Sequence, residues 1–204
     1  VQAVVRTRDR LATGAPPVVN QLGEAQPLVD EGLADLCRHN VISRIWAHDY
    51  SVWQPGPTEI TNRLGWLHIM DNMAGNVKRL ERLTERVVAE GYTHALLLGM
   101  GGSSLAPELF QKTLGRPARP ANAPFPFLEV VVLDTTDADA VRAVDAALDL
   151  RRTLVIVATK SGGTVETLSA FKFFYNRLLD EVGPENAGHH FIGITDPGSK
   201  IAEM

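Results

Sequence analysis

The second half of the chain alternates short apolar runs with longer helical patterns, and this alternation constrains the fold more than any other feature. Four apolar runs follow Gly91, namely "HALLLGM", "FLEVVVLD", "TLVIVAT" and "HHFIGIT". Continuous apolar runs of this length are typical of strands that are covered on both faces. The helical patterns between them span residues 104–114, 137–150 and 164–182. The sequence therefore predicts a three-layer α/β fold, with helices on both sides of a parallel sheet and right-handed crossovers.

The residues before Gly91 have a different pattern. Residues 1–23 contain the breaker "TGAPPVV" and are predicted to be a lead-in or linker. Apolar residues recur at helical spacing over residues 30–46 and 66–90, and Gly91 is a candidate C-cap. We therefore expect a helical N-terminal extension over residues 24–91 and an α/β domain over residues 92–204. Because the chain lacks an initial Met, we expect it to be cut from a longer protein. Because its last residues have the pattern of a beginning helix, we expect this domain to be truncated at its C-terminus.

The composition narrows the classes of partner and the compartment. The chain has 24 acidic and 20 basic residues and a net charge of −4, which disfavours nucleic acid. The single cysteine, Cys37, excludes an internal disulfide and fits a reducing compartment. The apolar runs are too short to span a bilayer, and the start "VQAVVRTRDR" does not have the layout of a signal peptide. We predict a cytoplasmic protein that binds neither nucleic acid nor membrane.

A glycine-rich loop, "GMGGSSLAPEL", follows the first predicted strand. Glycines let the backbone approach a ligand closely and adopt positive φ angles. Ser103 and Ser104 supply hydroxyl groups and a candidate helix N-cap, and Pro107 fits the first helical turn. The free N–H groups at a helix N-terminus bind anions, above all phosphate. By itself, the loop is equally compatible with a phosphate site and with a tight strand-to-helix turn.

A second loop of this kind, "TKSGGT", follows the third predicted strand. The hydroxyl groups of Thr159, Ser161 and Thr164 and the consecutive backbone amides can form an anion-binding nest, to which Lys160 would add a positive charge. Glu166 falls in the first turn of the next helix, where a carboxylate favours the helix dipole. Since ligands bind beyond the carboxyl ends of parallel strands, two such loops in one sheet predict a site for a small, multiply charged anion such as a phosphate monoester.

A dinucleotide site is the alternative reading of the first loop. Gly99 and Gly101 give a partial GxGxxG pattern, but Ser104 stands in place of the third glycine. Asp134, at the tip of the second predicted strand, lies farther from Gly99 than the usual spacing of about 20 residues. No Walker A pattern occurs either, because Lys160 precedes its glycines.

Several stretches together resemble the first sugar-isomerase (SIS) domain of the glucose-6-phosphate isomerase family. They are "LLLGMGGSSLAPELF", "VVVLDTTD", "VATKSGGTVETLSAFKFFYNRL" and "GITDPGSKIAE". The core "SGGTVET" is also similar to the general SIS phosphate motif of amidotransferase isomerase domains and sugar-phosphate-sensing regulators. The lead-in stretches "SRIWAHDYSVW" and "NRLGWL" are similar to isomerases that are fused behind transaldolase.

The resemblance implies a function and a set of site residues. It implies interconversion of glucose 6-phosphate and fructose 6-phosphate through an enediol, without metal or redox cofactor, in glycolysis and gluconeogenesis. The catalytic groups of the family come from later sequence, so this chain would contribute no catalytic residue and would need a C-terminal isomerase half. A fused transaldolase domain is a further implied partner. The residues that would bind the sugar phosphate are Gly102, Ser103, Thr159, Lys160, Ser161 and Thr164.

Two rival functions stay open at this point. The first is a non-catalytic SIS module that senses a sugar phosphate and regulates a partner. The second is a dinucleotide-binding domain. The sequence "SRIWAHDYSVW" favours the isomerase over the sensor, whereas a DNA-binding helix-turn-helix elsewhere in the full gene would favour the sensor.

Overall fold

The computed structural model describes residues 22–114 and 128–203. They divide into two compact units, with the boundary between Asn76 and Val77. The linker predicted over residues 1–23 falls outside the described residues except for its last two positions. The domain boundaries given above therefore stay a prediction.

The first unit is helical. It contains α1 (Gln26–Arg38), α2 (Val41–Trp46) and α3 (Ile69–Ala74), together with short 3-10 turns. The continuous helix predicted over residues 30–46 is wrong, because Asn40 interrupts it with a left-handed φ of 49°. Asparagine adopts this conformation more readily than most residues. The helix predicted over residues 66–90 is likewise divided, into a 3-10 turn, α3 and the first helix of the second unit.

A network of charged hydrogen bonds fixes the turn after α2. Arg44 Nε donates to Asp49 Oδ2 at 2.7 Å, and the Ser51 amide donates to Asp49 Oδ1 at 2.9 Å. The Ser51 hydroxyl also donates to Asp49 Oδ1, at 2.6 Å. These bonds favour the ionised carboxylate, those from Ser51 and Arg44 foremost, and they lower the pKa of Asp49 to about 2. The polar residues of the stretch "RIWAHDYS" thus have a structural role, because they fix the turn after α2.

The second unit contains the predicted sheet. It begins with α4 (Val77–Ala89), and Gly91 follows that helix with a φ of 93°, as expected of a C-cap. The strands are β1 (His94–Gly99), β2 (Glu129–Leu133), β3 (Thr153–Ala158) and β4 (Phe191–Ile194). The helices between these strands are α5 (Gly102–Leu114), α6 (Ala138–Ala147), α7 (Val165–Val182) and α8 (Pro184–Ala187). No helix within the described ranges is long and apolar enough to cross a membrane.

The four strands are parallel and lie in the order β2-β1-β3-β4. With this order, right-handed crossovers place α5 on one face of the sheet and both α6 and α7 on the other. Arg177 on α7 donates to the carboxylate of Asp145 on α6 at 3.0 and 3.1 Å, which agrees with these two helices sharing a face. The predicted three-layer α/β architecture is confirmed.

The core of this unit lies between the sheet and α7. Leu96, Leu98 and Val155 on the central strands are fully buried, as are Phe174 and Leu178 on α7. The two central strands are buried along almost their whole length, which is why their sequences are continuously apolar. This core fixes the carboxyl ends of β1 and β3, from which the two hydroxyl-rich loops begin.

Candidate functional site

The strand order brings the two loops side by side. β1 pairs directly with β3, and the last pair in their register is Gly99 with Ala158. The loop after Gly99 and the loop after Ala158 therefore leave the same edge of the sheet on adjacent strands. The sequence could not establish this convergence, because it depends on which strands pair.

The loop after β1 is drawn tightly against its neighbours at Gly99. A Cβ atom at this position would lie 3.0 Å from Ser103 Cβ and 3.2 Å from the carbonyl oxygen of Ala158. Both distances are shorter than ordinary van der Waals contacts of a Cβ atom. A side chain here would force its neighbours to shift by a few tenths of an ångström, so glycine favours the close approach of the first turn of α5 to the junction of β1 and β3.

The serine pair in this turn is divided between the site and the interior. Ser103 is half-buried, and its hydroxyl makes no hydrogen bond to the described residues. The hydroxyl of Ser104 is buried and donates to the Gly101 carbonyl at 3.0 Å. Helix α5 begins at Gly102, so Ser104 is inside the helix and is not its N-cap. For the same reason Pro107 lies beyond the first turn of α5, so its predicted place in that turn is wrong.

The start of α5 leaves backbone donors available. The amides of Ser103, Ser104 and Leu105 donate to carbonyls within the turn, whereas those of Gly101 and Gly102 have no acceptor among the described residues. Unpaired amides at the first turn are the groups that side chains, water or anions satisfy. Ser103 and Gly102 thus present a hydroxyl and an amide at the same edge of the sheet.

The loop after β3 begins buried and becomes exposed. Thr159 is buried, and its amide donates to the Ile194 carbonyl of β4 at 3.0 Å. Its Oγ1 lies 3.2 Å from Oγ1 of Thr164. Thr164 occupies the N-cap position of α7 but makes no capping hydrogen bond with its side chain. Its hydroxyl is instead directed to Thr159 in the loop.

The exposed part of this loop carries the remaining predicted groups. Lys160 and Ser161 are both exposed, and the Gly163 amide donates to Ser161 Oγ at 3.3 Å. The side chain of Lys160 forms no ion pair within the described residues. Glu166 lies exposed in the first turn of α7. Helices α5 and α7 both begin here, so the positive ends of two helix dipoles and one lysine make this edge favourable for an anion.

The adjacent glycines of this loop have different roles. Gly162 is buried with a φ of 69°, and a Cβ atom there would lie 2.8 Å from the amide nitrogen of Lys200. Gly163 is exposed and has ordinary φ, and its Cβ atom would meet only Ser161 Oγ, at 3.7 Å. Of the two, Gly162 alone is required by conformation and close packing.

The sequence analysis assigned no site role to the loop after β4, although this loop contacts the loop after β3 directly. The amide of Asp196 donates to the Lys160 carbonyl at 3.2 Å, and Thr195 Oγ1 lies 3.4 Å from the same oxygen. The signal was present in the sequence, since "TDPGS" follows a strand and begins with a hydroxyl-bearing residue. Because β4 pairs with β3, the loop after β4 is well placed to support the loop after β3.

Two other features of this unit bear on the choice of ligand. A cavity of about 300 Å³ lies beside β4, but its lining is mainly apolar and offers little to an anion. The residues that line it are Val157, Phe171, Tyr175, Gly188, Phe191, Ile192, Gly193 and Ile201. Asp134 is exposed after β2. Residues 22–114 and 128–203 contain no group of three or more side chains suited to hold a metal ion.

Comparison with known proteins identifies relatives for most of this chain. The family model for phosphoglucose isomerase matches residues 67–204. A glucose-6-phosphate isomerase of Cyanothece sp. is 35% identical over 115 residues, which is 55% of this chain and 20% of that protein. The glucose-6-phosphate isomerase of Acaryochloris marina is 27% identical over 200 residues, covering 93% of this chain and 34% of the relative.

A solved structure supports the fold independently. The crystal structure of a hypothetical protein from Thermus thermophilus superposes with a TM-score of 0.60 and 24% identity. The match covers 85% of this chain and 37% of that one. The chain thus spans about a fifth to a third of the length of the curated relatives named above. Because the family model extends over more than half of its residues, the chain belongs to the phosphoglucose isomerase family.

Proposed function

We propose that this chain is the phosphate-binding part of a glucose-6-phosphate isomerase. The observation that carries the proposal is the juxtaposition of two hydroxyl-rich loops at the carboxyl ends of β1 and β3, which are paired neighbours. The relatives named glucose-6-phosphate isomerase support the same substrate. The proposed substrate is therefore glucose 6-phosphate or fructose 6-phosphate, bound through its phosphate group.

The phosphate would be held by neutral donors and one cation. The amide of Gly102 and the hydroxyl of Ser103 would bind from the first loop. From the second loop, the hydroxyls of Ser161 and Thr164 would donate and Lys160 would supply charge. Thr159, buried against Thr164, would orient the latter hydroxyl. Hydrogen bonds to a charged group are about twice as strong as neutral ones, so a few such donors suffice for specific binding.

The chemistry would take place at the other end of the substrate. Isomerisation moves a proton between C2 and C1, and the base must lie within about 2.6–3.2 Å of that proton or one water away. Binding energy from the remote phosphate would position the reacting carbons for groups that are supplied outside this chain. The domain boundaries, a C-terminal isomerase half, a fused transaldolase domain and a cytoplasmic location are parts of the same proposal. A regulatory sensor has less support, since the named relatives are enzymes.

Replacing Ser161 by alanine tests the phosphate assignment. We expect glucose 6-phosphate to bind more weakly by about 1.5–3 kcal/mol, because a hydrogen bond to a charged group is lost. Titration calorimetry on the 204-residue chain measures this change. Ser169→Ala, which alters an exposed serine on α7, is the matched control and should leave the affinity unchanged. Equal affinities of the Ser161→Ala variant and the wild type would remove Ser161 from the site.

The isolated 204-residue chain should bind sugar phosphate but show no isomerase activity. Glu166 is the acidic residue of the best-matching motif, but it lies in the first turn of the helix that begins at the proposed phosphate. It should therefore be too far from C2 of the substrate to act as the base. A coupled assay for fructose 6-phosphate consumption checks this expectation. Turnover above the uncatalysed rate that disappears in Glu166→Gln would show instead that Glu166 is the base.

A further inference from the structure

The turn after β4 braces the loop after β3, and the two segments leave the sheet together. Ala158 pairs with Ile194 at the end of the β3-β4 register, and the Thr159 amide extends this pairing by donating to the Ile194 carbonyl at 3.0 Å. The chain then continues on one side as Lys160 and on the other as Thr195. The loop after β3, called the phosphate loop below, is thus bordered by β1 and α5 on one side. On its other side lies the turn after β4, called the post-β4 turn.

The post-β4 turn has a rigid local structure. The amide of Ser199 donates to the Asp196 carbonyl at 3.2 Å, which closes the four residues "DPGS" into a turn. Gly198 has a φ of 74° and follows a proline, which is the pattern of a type II turn. Such a turn has few accessible conformations, because proline fixes one φ angle and only glycine readily adopts the next.

Two contacts hold the phosphate loop to this turn. At Lys160, the carbonyl accepts from the Asp196 amide and lies 3.4 Å from Thr195 Oγ1. At Gly162, the backbone lies so close to the amides of Lys200 and Ile201 that a Cβ atom would be 2.8 and 3.0 Å from them. Ser161 stands between these two points with its side chain exposed. The segment after β4 therefore fixes the backbone on both sides of Ser161, a residue proposed to bind the phosphate.

The hydroxyls of Thr195 and Ser199 connect these contacts. Their oxygen atoms are 2.6 Å apart, and Ser199 is nearly buried. A threonine hydroxyl has one proton, and Thr195 donates it to Ser199 at 2.6 Å, while the Thr195 oxygen lies 3.4 Å from the Lys160 carbonyl oxygen. The bond to Ser199 thus holds the Thr195 side chain against the backbone of the phosphate loop.

We infer that Thr195 and Ser199 are positioning residues for the sugar phosphate, acting through the backbone of Lys160. This inference rests on the proposed function, because it concerns the same site. The two residues would not touch the ligand; they would hold Ser161 and the loop amides in the arrangement that receives the phosphate. Their removal should therefore weaken ligand binding more than a comparable loss of a hydroxyl elsewhere in the sheet.

Thr195→Val, Thr195→Ser and Ser199→Ala test the inference, with Thr153→Val as the matched control. Thr153 is fully buried and donates to the Asp149 carbonyl at 2.8 Å, but it lies at the opposite end of β3. Affinity for glucose 6-phosphate and for inorganic phosphate is measured by titration calorimetry on the 204-residue chain, and thermal unfolding is followed for every variant. The control separates loss of stability from loss of positioning.

We expect Thr195→Val and Ser199→Ala to weaken binding of glucose 6-phosphate about fivefold to tenfold, the loss of roughly one hydrogen bond. Thr195→Ser keeps the hydroxyl and should stay within about twofold of the wild type, as should Thr153→Val despite its lower unfolding temperature. Wild-type affinity in both Thr195→Val and Ser199→Ala, or an equal loss in Thr153→Val, would overturn the inference and leave the proposed function intact. If Thr195→Val does not fold, Ser199→Ala decides by the same criterion. A wild-type chain that binds neither ligand would overturn both proposals.

Discussion

Replacing Gly162 by alanine should destabilise the second unit by about 2–3 kcal/mol and weaken sugar-phosphate binding more than tenfold. Two costs add at this position. The φ of 69° is unfavourable for any residue with a Cβ atom, and that atom would lie 2.8 Å from the backbone nitrogen of Lys200. Because the obstacle is backbone, it cannot move aside as the end of a flexible side chain would. Urea unfolding and titration with glucose 6-phosphate measure the two effects.

Gly163→Ala is the matched control, since it makes the same chemical change at the next residue. Its Cβ atom would meet only Ser161 Oγ, at 3.7 Å, and its φ is not positive. We expect its stability to stay within about 1 kcal/mol of the wild type, because alanine restricts the unfolded chain without straining the folded one. Equal losses in the two variants would mean that the loop does not depend on its contact with the post-β4 turn.

Replacing Phe174 by alanine should lower the free energy of unfolding by about 3–5 kcal/mol. Phe174 is fully buried on α7, within the core that covers β1 and β3. Its removal loses apolar burial and leaves a cavity between α7 and the sheet, which the surrounding side chains can fill only in part. Chemical unfolding followed by circular dichroism measures the change.

Phe110→Ala provides the comparison for this core substitution. Phe110 lies on α5 with 59% of its surface exposed, so the same truncation removes little buried area there. We expect a loss below about 1 kcal/mol. A loss at Phe110 as large as that at Phe174 would indicate that the exposed face of α5 is covered in solution, and it would contradict the burial described here.

The sequence by itself determined the elements of the second unit and the places where a site could form. The two central strands appear as continuous apolar runs because each is covered on both faces, so their residue types report their burial directly. The two loops are recognisable for an equally local reason. Glycines and hydroxyl-bearing residues at strand ends have conformational and hydrogen-bonding properties that do not depend on distant contacts.

Only the tertiary structure decided how these elements combine. The order β2-β1-β3-β4 rests on pairing between residues that are far apart in the chain, and it alone places Gly102 and Ser103 beside Thr159. The same holds for the two adjacent glycines, which look equivalent in the sequence. Gly162 is required because the backbone of Lys200 and Ile201 occupies the space beside it. Gly163 is not required, because a Cβ atom there would make only an ordinary contact with Ser161 Oγ. Contacts across the sheet edge, rather than local propensity, distinguish them.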